Sequence, residues 1–205
     1  MVATTIAPSS MKRKQIQTLF LTGLILSFIG WVWETIFSFI IHSPNDRGFL
    51  VLPFCTIYGF ALIFIYLLFG TPSDMHLFGR SIFPNHAFPR YLAYFFSSAL
   101  LATAIELVTA AFFESFFGIK LWSYTFLPGG ESEFIALLPS LFWGIAITLF
   151  MRFLFQPIHL AVGKIQPKIL SGLFWVFLIA VLADLTFNFV YLSVNGTHYV
   201  LPFFD

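Results

Sequence analysis

Four carboxylates stand inside long apolar runs of this chain: Glu34, Glu106, Glu114 and Asp184. A charged side chain at the centre of a membrane helix costs about 2.5–3.5 kcal/mol, whereas each Leu, Ile, Phe or Val returns only about 0.3–0.6 kcal/mol. Acids in such surroundings therefore face other helices or a wet cavity. The chemistry open to them there is to bind a cation, to take a proton as a general base, or to hydrogen-bond a neighbouring helix. Spacing agrees with an inward placement. Ser98, Ala102, Glu106, Ala110 and Glu114 recur at every fourth position; Ser27, Gly30, Glu34, Ser38 and His42 follow at intervals of three or four. Ala180, Asp184 and Asn188 repeat the pattern near the C-terminal end. Each set makes one ridge of small and polar residues that lets another backbone approach closely.

Asn45, Arg47, Trp122 and Tyr124 fall between apolar runs, next to the helix ends that carry the acids. Arg47 reads as the only cation near the carboxylates, and hence as a charge-assisted partner for Glu34, Glu106 or Glu114. The remaining acids must then be protonated, hydrogen-bonded or paired with something the protein binds. Plainer roles compete at every position. Glu106 and Asp184 could hold helices together through hydrogen bonds, and Glu34, Glu114 and Arg47 could form ordinary ion pairs at helix ends. Trp122, Tyr124 and Trp143 could belong to an interfacial aromatic belt, and Cys55 suits a small buried apolar site. His42 could join Glu34 and Glu114 around a metal ion, but the spacing is unspecific. No metal site and no cofactor is assigned. Nucleotide-binding glycine loops, a GxSxG elbow and an HExxH helix are all missing from the sequence.

The elements that must position these residues follow from composition. Hydrophobic residues make up 59% of 205, charged ones 9%, and the mean hydropathy is +0.92. That excludes an ordinary soluble globule, a disordered chain, a coiled coil and a nucleic-acid binder, each of which needs far more charge. One cysteine excludes an internal disulfide. Apolar runs at about 16–41, 50–70, 90–117, 134–155 and 169–194 are each long enough to span a bilayer. The fold class predicted is all-α, a polytopic transmembrane bundle of about five spans. A single helical domain over 16–194 lies between a cytoplasmic segment at 1–15 and an extracytoplasmic tail at 195–205. Basic residues set the orientation. With the N-terminus inside, eight of the ten Lys and Arg fall on the cytoplasmic side, leaving Arg47 and Lys120 outside. The inner connections, about 71–89 and 156–168, read as plain proline-containing loops. On this topology Glu34, Glu106, Glu114, Asp184 and Asn188 all sit in the outer halves of their helices. A faint internal echo also runs through the chain. Glu34 is followed by Leu52-Pro53 and Tyr58-Gly59, and Glu114 by Leu138-Pro139 and Trp143-Gly144.

Read in order, the motifs resemble a known family. Gly30-Trp31-Val32-Trp33-Glu34, Asn45-Asp46-Arg47-Gly48-Phe49-Leu50, Pro53-Phe54-Cys55-Thr56-Ile57-Tyr58-Gly59, Glu106 and Glu114, Trp122-Ser123-Tyr124 and Leu138-Pro139-Ser140-Leu141-Phe142-Trp143-Gly144 are similar to those of the ABC-transporter type IV permease family of small bacterial membrane proteins. The resemblance spans about residues 20–150 and draws Tyr58 into the candidate set. It implies transport in a bacterial plasma membrane and brings no substrate, catalytic residue or cofactor with it. After Trp122 the chain departs from the family pattern, with Ser123 in place of an Asp and Pro128-Gly129-Gly130-Glu131 in the loop.

Three functions compete on these residues. The first is a transporter permease whose site, Glu34, Asn45, Arg47, Tyr58, Glu106, Glu114, Trp122, Tyr124, Asp184 and Asn188, faces the extracytoplasmic side. Five helices are few for a complete carrier, so this reading needs a separate ATPase subunit or a homo-oligomer. The second is an intramembrane enzyme acting on a lipid-like substrate at the outer leaflet, with Glu106 or Glu114 as general base and Arg47 on an anionic headgroup. The third is a non-catalytic assembly or regulatory protein in which the polar ridges specify helix pairing. Transport is the reading carried forward; the lipid bilayer is a partner in all three, and nucleic acid in none.

Overall fold

The computed structural model describes residues 8–40, 49–125, 134–197 and 199. Six α-helices follow one another as α1 (Pro8–Ile40), α2 (Thr56–Phe69), α3 (Ala87–Phe117), α4 (Leu137–Phe150), α5 (Gln156–Gly163) and α6 (Pro167–Asn195). Three short strands, β1 (Gly70–Thr71), β2 (Asp74–Leu77) and β3 (Arg80–Ser81), lie between α2 and α3. A π-helical turn over Met151–Phe155 joins α4 to α5 without a break. Among the described residues four stretches are long and apolar enough to cross a membrane: Lys12–Ile36, Ala87–Phe117, Leu137–Gly163 and Pro167–Asn195. The chain is an all-α, multi-pass membrane protein.

Two departures from the sequence reading have local causes. The second apolar run yields a helix of only 14 residues, about 21 Å long at about 1.5 Å per residue, short of the roughly 30 Å hydrocarbon core. Gly70, at φ +70°, ends it and starts a hairpin where a plain loop is expected. The fourth run, conversely, does not stop at 155. Pro157 lacks the N–H that would continue the α-ladder, but the wider π turn just before it absorbs the mismatch, and the helix runs on to Gly163. Only residues 164–166 remain as the connection to α6, whose first residue is Pro167, a position where the missing N–H costs nothing.

The contacts divide the chain into two compact units. The first comprises residues 1–59, 155–188 and 200–205 and the second residues 60–154 and 189–199. In the first, α1 packs on α5 and on α6 through Leu21, Leu24, Val162, Leu170 and Val181, all under 9% exposed. Hydroxyls along α1 fold back onto their own helix, Thr22 donating to Thr18 O at 2.7 Å and Ser27 to Gly23 O at 2.9 Å. With its proton so used, Thr22 Oγ1 accepts from His159 Nδ1 at 3.1 Å. Gln17 Nε2 donates to Ser171 Oγ at 3.2 Å.

In the second unit, α3 and α4 form the main helix pair. Gly118 closes α3 in the left-handed conformation, φ 68°, with its N–H on Glu114 O at 2.9 Å. At the other end of α3 the hairpin is clamped. Tyr94 Oη donates to Gly70 O at 3.1 Å, Arg90 Nε to Pro72 O at 3.2 Å and Arg90 Nη1 to Pro84 O at 2.9 Å. β1 pairs antiparallel with β2 and β2 with β3, so Phe78-Gly79 forms a two-residue turn between the paired Leu77 and Arg80. Both turn residues have positive φ, 49° and 75°. Glycine and asparagine suit such a turn; a phenylalanine there costs about 1–2 kcal/mol. Phe78→Asn is therefore expected to stabilise the detergent-solubilised protein by about 1 kcal/mol, read as a higher thermal unfolding midpoint. An unchanged or lower midpoint would mean that the turn is not strained.

Candidate functional site

Each unit holds its own carboxylate arrangement. In the first, Asp184 of α6 is 9% exposed. Its Oδ1 accepts the Val51 N–H at 3.1 Å and Asn188 Nδ2 at 2.8 Å, and its Oδ2 accepts the Leu52 N–H at 2.8 Å. Val51 and Leu52 precede Pro53, and no helix supplies acceptors for their N–H groups; the carboxylate does so instead. Asn188, fully buried, also donates to Asp184 O at 2.9 Å. Its Oδ1 is buried with no hydrogen-bond partner among the described residues.

On α1 of the same unit, Glu34 accepts the Tyr58 hydroxyl. Tyr58 lies over Gly30, where an added Cβ would come within 2.5 Å of the ring. The next residue, Gly59, sits so close to α1 that a Cβ would overlap the Gly23 carbonyl oxygen and Ser27 Oγ. The Cys55 N–H donates to Ser27 O at 3.1 Å and fixes the start of α2 to the same stretch.

The second unit gathers Glu106, Tyr124 and Trp143. Glu106 Oε1 accepts from Trp143 Nε1 at 2.9 Å and from Tyr124 Oη at 3.1 Å. Glu106 Oε2 is buried and has no hydrogen-bond partner among the described residues. One turn along α3, Thr103 Oγ1 stands 2.8 Å from Ser140 Oγ of α4, which donates to Ala136 O at 3.0 Å. Trp122 turns its indole N–H to Phe134 O at 3.2 Å, tying the two ends of the α3–α4 connection together. The carboxylate is thus held through one oxygen by two aromatic donors, while the other oxygen is free to take a proton or a cation.

The candidates therefore fall into separate local arrangements. Glu34 joins Tyr58, Asp184 joins Asn188 and the Val51–Leu52 backbone, and Glu106 joins Tyr124. Trp122 serves the loop beside Glu106. Glu114 pairs with Lys120 at 3.9 Å, with both side chains more than 40% exposed, a solvated contact worth little. Asn45 and Arg47 lie outside the described residues. Lys120 corrects the expectation that Arg47 is the only cation near the acids: the Gly118 cap reverses the chain and returns Lys120 to Glu114. Trp143, expected in an aromatic belt, donates to Glu106 instead. Among the described residues no three His, Cys, Asp or Glu side chains gather to hold a metal ion.

The internal echo exists, but in a different register. In α3–α4 the partner of Trp143 is Glu106, not Glu114. In both units an aromatic residue directly before a glycine, Tyr58-Gly59 or Trp143-Gly144, donates to a glutamate on the preceding helix. A Cβ on Gly144 would stand 2.8 Å from Phe95 Cε2 and 2.9 Å from Ala99 Cβ. Ala99 and Phe95 lie 7 and 11 positions before Glu106, as Ser27 and Gly23 lie 7 and 11 before Glu34. The repeat unit is thus a glutamate, an aromatic donor and a glycine crossing about two and three turns below the acid. A single sequence hides it, because only the glutamate and the glycine are shared letter for letter.

Neither the curated proteins nor the solved structures include a match to this chain. The model of the family described as "Putative ABC-transporter type IV" matches residues 20–189, from within α1 to within α6. That span takes in both glutamate clamps and the Asp184 contacts, and the chain belongs to this family.

Proposed function

We propose that this protein is the membrane-embedded permease component of a transporter, and that Glu106 is the group in it that engages a transported cation or a coupling proton. The observation carrying this reading is the buried Glu106 Oε2, which has no hydrogen-bond partner among the described residues, beside an Oε1 held by Tyr124 and Trp143. A carboxylate serving only as helix glue would be expected to use both oxygens, because an unmet acceptor in an apolar setting costs about 1–3 kcal/mol. Held through one oxygen, Glu106 is preorganised to offer the other. Family membership and the four span-length helices support the transport setting. The basic residues favour a cytoplasmic N-terminus, which puts Glu106 toward the extracytoplasmic face of a bacterial plasma membrane. A separate ATPase subunit supplies the energy.

Two measurements test this. Gentle detergent extraction from native membranes, followed by mass spectrometry, is expected to recover a stoichiometric nucleotide-binding ATPase; recovery of the protein alone or only with itself counts against the ATP-driven reading. In vesicles containing that complex, Glu106→Gln is expected to preserve folding, since the amide oxygen still accepts from Trp143 and Tyr124, but to abolish transport-coupled ATP hydrolysis. Full activity in Glu106→Gln would reduce Glu106 to a helix-pairing residue.

A further inference from the structure

Among the described residues, only two that are not glycine have positive φ: Phe78 at 49° and Phe83 at 48°. Both are phenylalanines, both belong to the segment joining α2 to α3, and they are 90% and 47% exposed. An aromatic ring in the left-handed region is a strained choice that proteins keep where something outside local geometry rewards it. Packing within the chain does not reward Phe78, which is the most exposed large apolar residue described. Its ring is displayed, and Arg80, also exposed, lies two residues on, just past the turn.

The level of the hairpin is set by α3. The base is buried, with Gly70, Thr71, Pro72 and Met75 inside, and its carbonyls are satisfied by Tyr94 and Arg90 from the first two turns of that helix. α3 has 31 residues, about 46 Å, and overhangs a roughly 30 Å hydrocarbon core. Its first two turns therefore lie at one membrane boundary. β2 has four residues, about 13 Å, so Phe78 stays within reach of that boundary. Deeper placement is ruled out, since the open strand edges need water or headgroups to satisfy them. We infer that the Phe78–Phe83 hairpin is a lipid-engaging foot, with the two rings seated at the acyl boundary and Arg80 pairing with anionic phosphate headgroups. Aromatic and basic residues together at this depth are what a bilayer interface favours.

The test uses the full chain carrying Cys55→Ala, with a nitroxide placed by Phe78→Cys, by Arg80→Cys, or by Gln166→Cys in the exposed α5–α6 connection as an aqueous reference. Each protein is reconstituted into phosphatidylcholine vesicles with or without phosphatidylglycerol, and collision with oxygen is compared with collision with a water-soluble nickel chelate. At position 78 oxygen is expected to dominate, the reverse of position 166, with position 80 between them. Phosphatidylglycerol is expected to raise the oxygen preference at 78, and Arg80→Gln to abolish that increase. Nickel dominating at 78 as it does at 166 would overturn the inference. So would low access to both probes in native membranes, regained only on purification, because a protein partner would then cover the tip.

Discussion

Replacing Gly59 by alanine is expected to destabilise the protein by about 1–3 kcal/mol or more, read as a lower thermal midpoint of the detergent-solubilised chain. The added methyl would collide with the Gly23 carbonyl oxygen, a backbone atom fixed by the α1 ladder, and with Ser27 Oγ, which already donates to that carbonyl. Relief would require α2 to move off α1 as a body. That shift would also stretch the Tyr58–Glu34 bond and the Cys55 N–H bond to Ser27 O. Gly144→Ala provides the internal comparison. Its new Cβ meets the Phe95 ring edge and the Ala99 methyl, side-chain atoms that can yield in part, so the loss should be smaller. Equal stability of Gly59→Ala and the parent would mean that α1 and α2 do not meet as described.

Asp184→Ala should be the most damaging change at any acid. Three donors, the Val51 and Leu52 N–H groups and Asn188 Nδ2, converge on this carboxylate. Leaving each partly buried donor unmet costs about 1–3 kcal/mol, so the total should reach roughly 3 kcal/mol or more. Asn188 Nδ2 keeps Asp184 O, which limits its share. Asp184→Asn should fall between Ala and the parent, because its amide retains one acceptor oxygen but turns an N–H₂ toward a backbone N–H. The comparison with Glu106→Gln is informative: at Glu106 both donors share one oxygen and the amide can serve them, whereas at Asp184 both oxygens are committed. Thermal unfolding of the three variants in one detergent gives the order directly. Asp184→Asn as stable as the parent would show that the charge and the second acceptor do not hold the Val51–Leu52 segment.

Insertion energy and ridge spacing pointed Glu106 and Asp184 inward, onto faces that meet other helices; Glu114, expected to face inward with them, is solvated beside Lys120. Their partners were not legible. Tyr58 and Glu34 are 24 residues apart, Trp143 and Glu106 are 37 apart, and Asp184 reaches back 132 residues to the Leu52 backbone. Periodicity describes one helix at a time and says nothing about which helix lies opposite. This is why Glu114, which shares the Glu106 ridge, could be mistaken for the counterpart of Glu34. The Gly118 cap then turns Glu114 toward Lys120 instead.

By itself, the sequence determined the class. Backbone groups in lipid must be satisfied within a helix or a closed barrel, and uninterrupted apolar runs of span length, in a chain with 59% hydrophobic and 9% charged residues, select helices. It also determined the family, because the motif order is linear. Only the tertiary structure decided where helices stop and which oxygen remains free. α2 gives way to a hairpin at Gly70, where Tyr94 and Arg90 donate to the Gly70 and Pro72 carbonyls; Leu137–Gly163 continues past Pro157 because a π turn absorbs the lost hydrogen bond. Glu106 keeps one oxygen unclaimed among the described residues because Trp143 and Tyr124 both donate to the other. Each of these outcomes depends on a donor or acceptor brought from elsewhere in the chain, and that is a property of packing rather than of order.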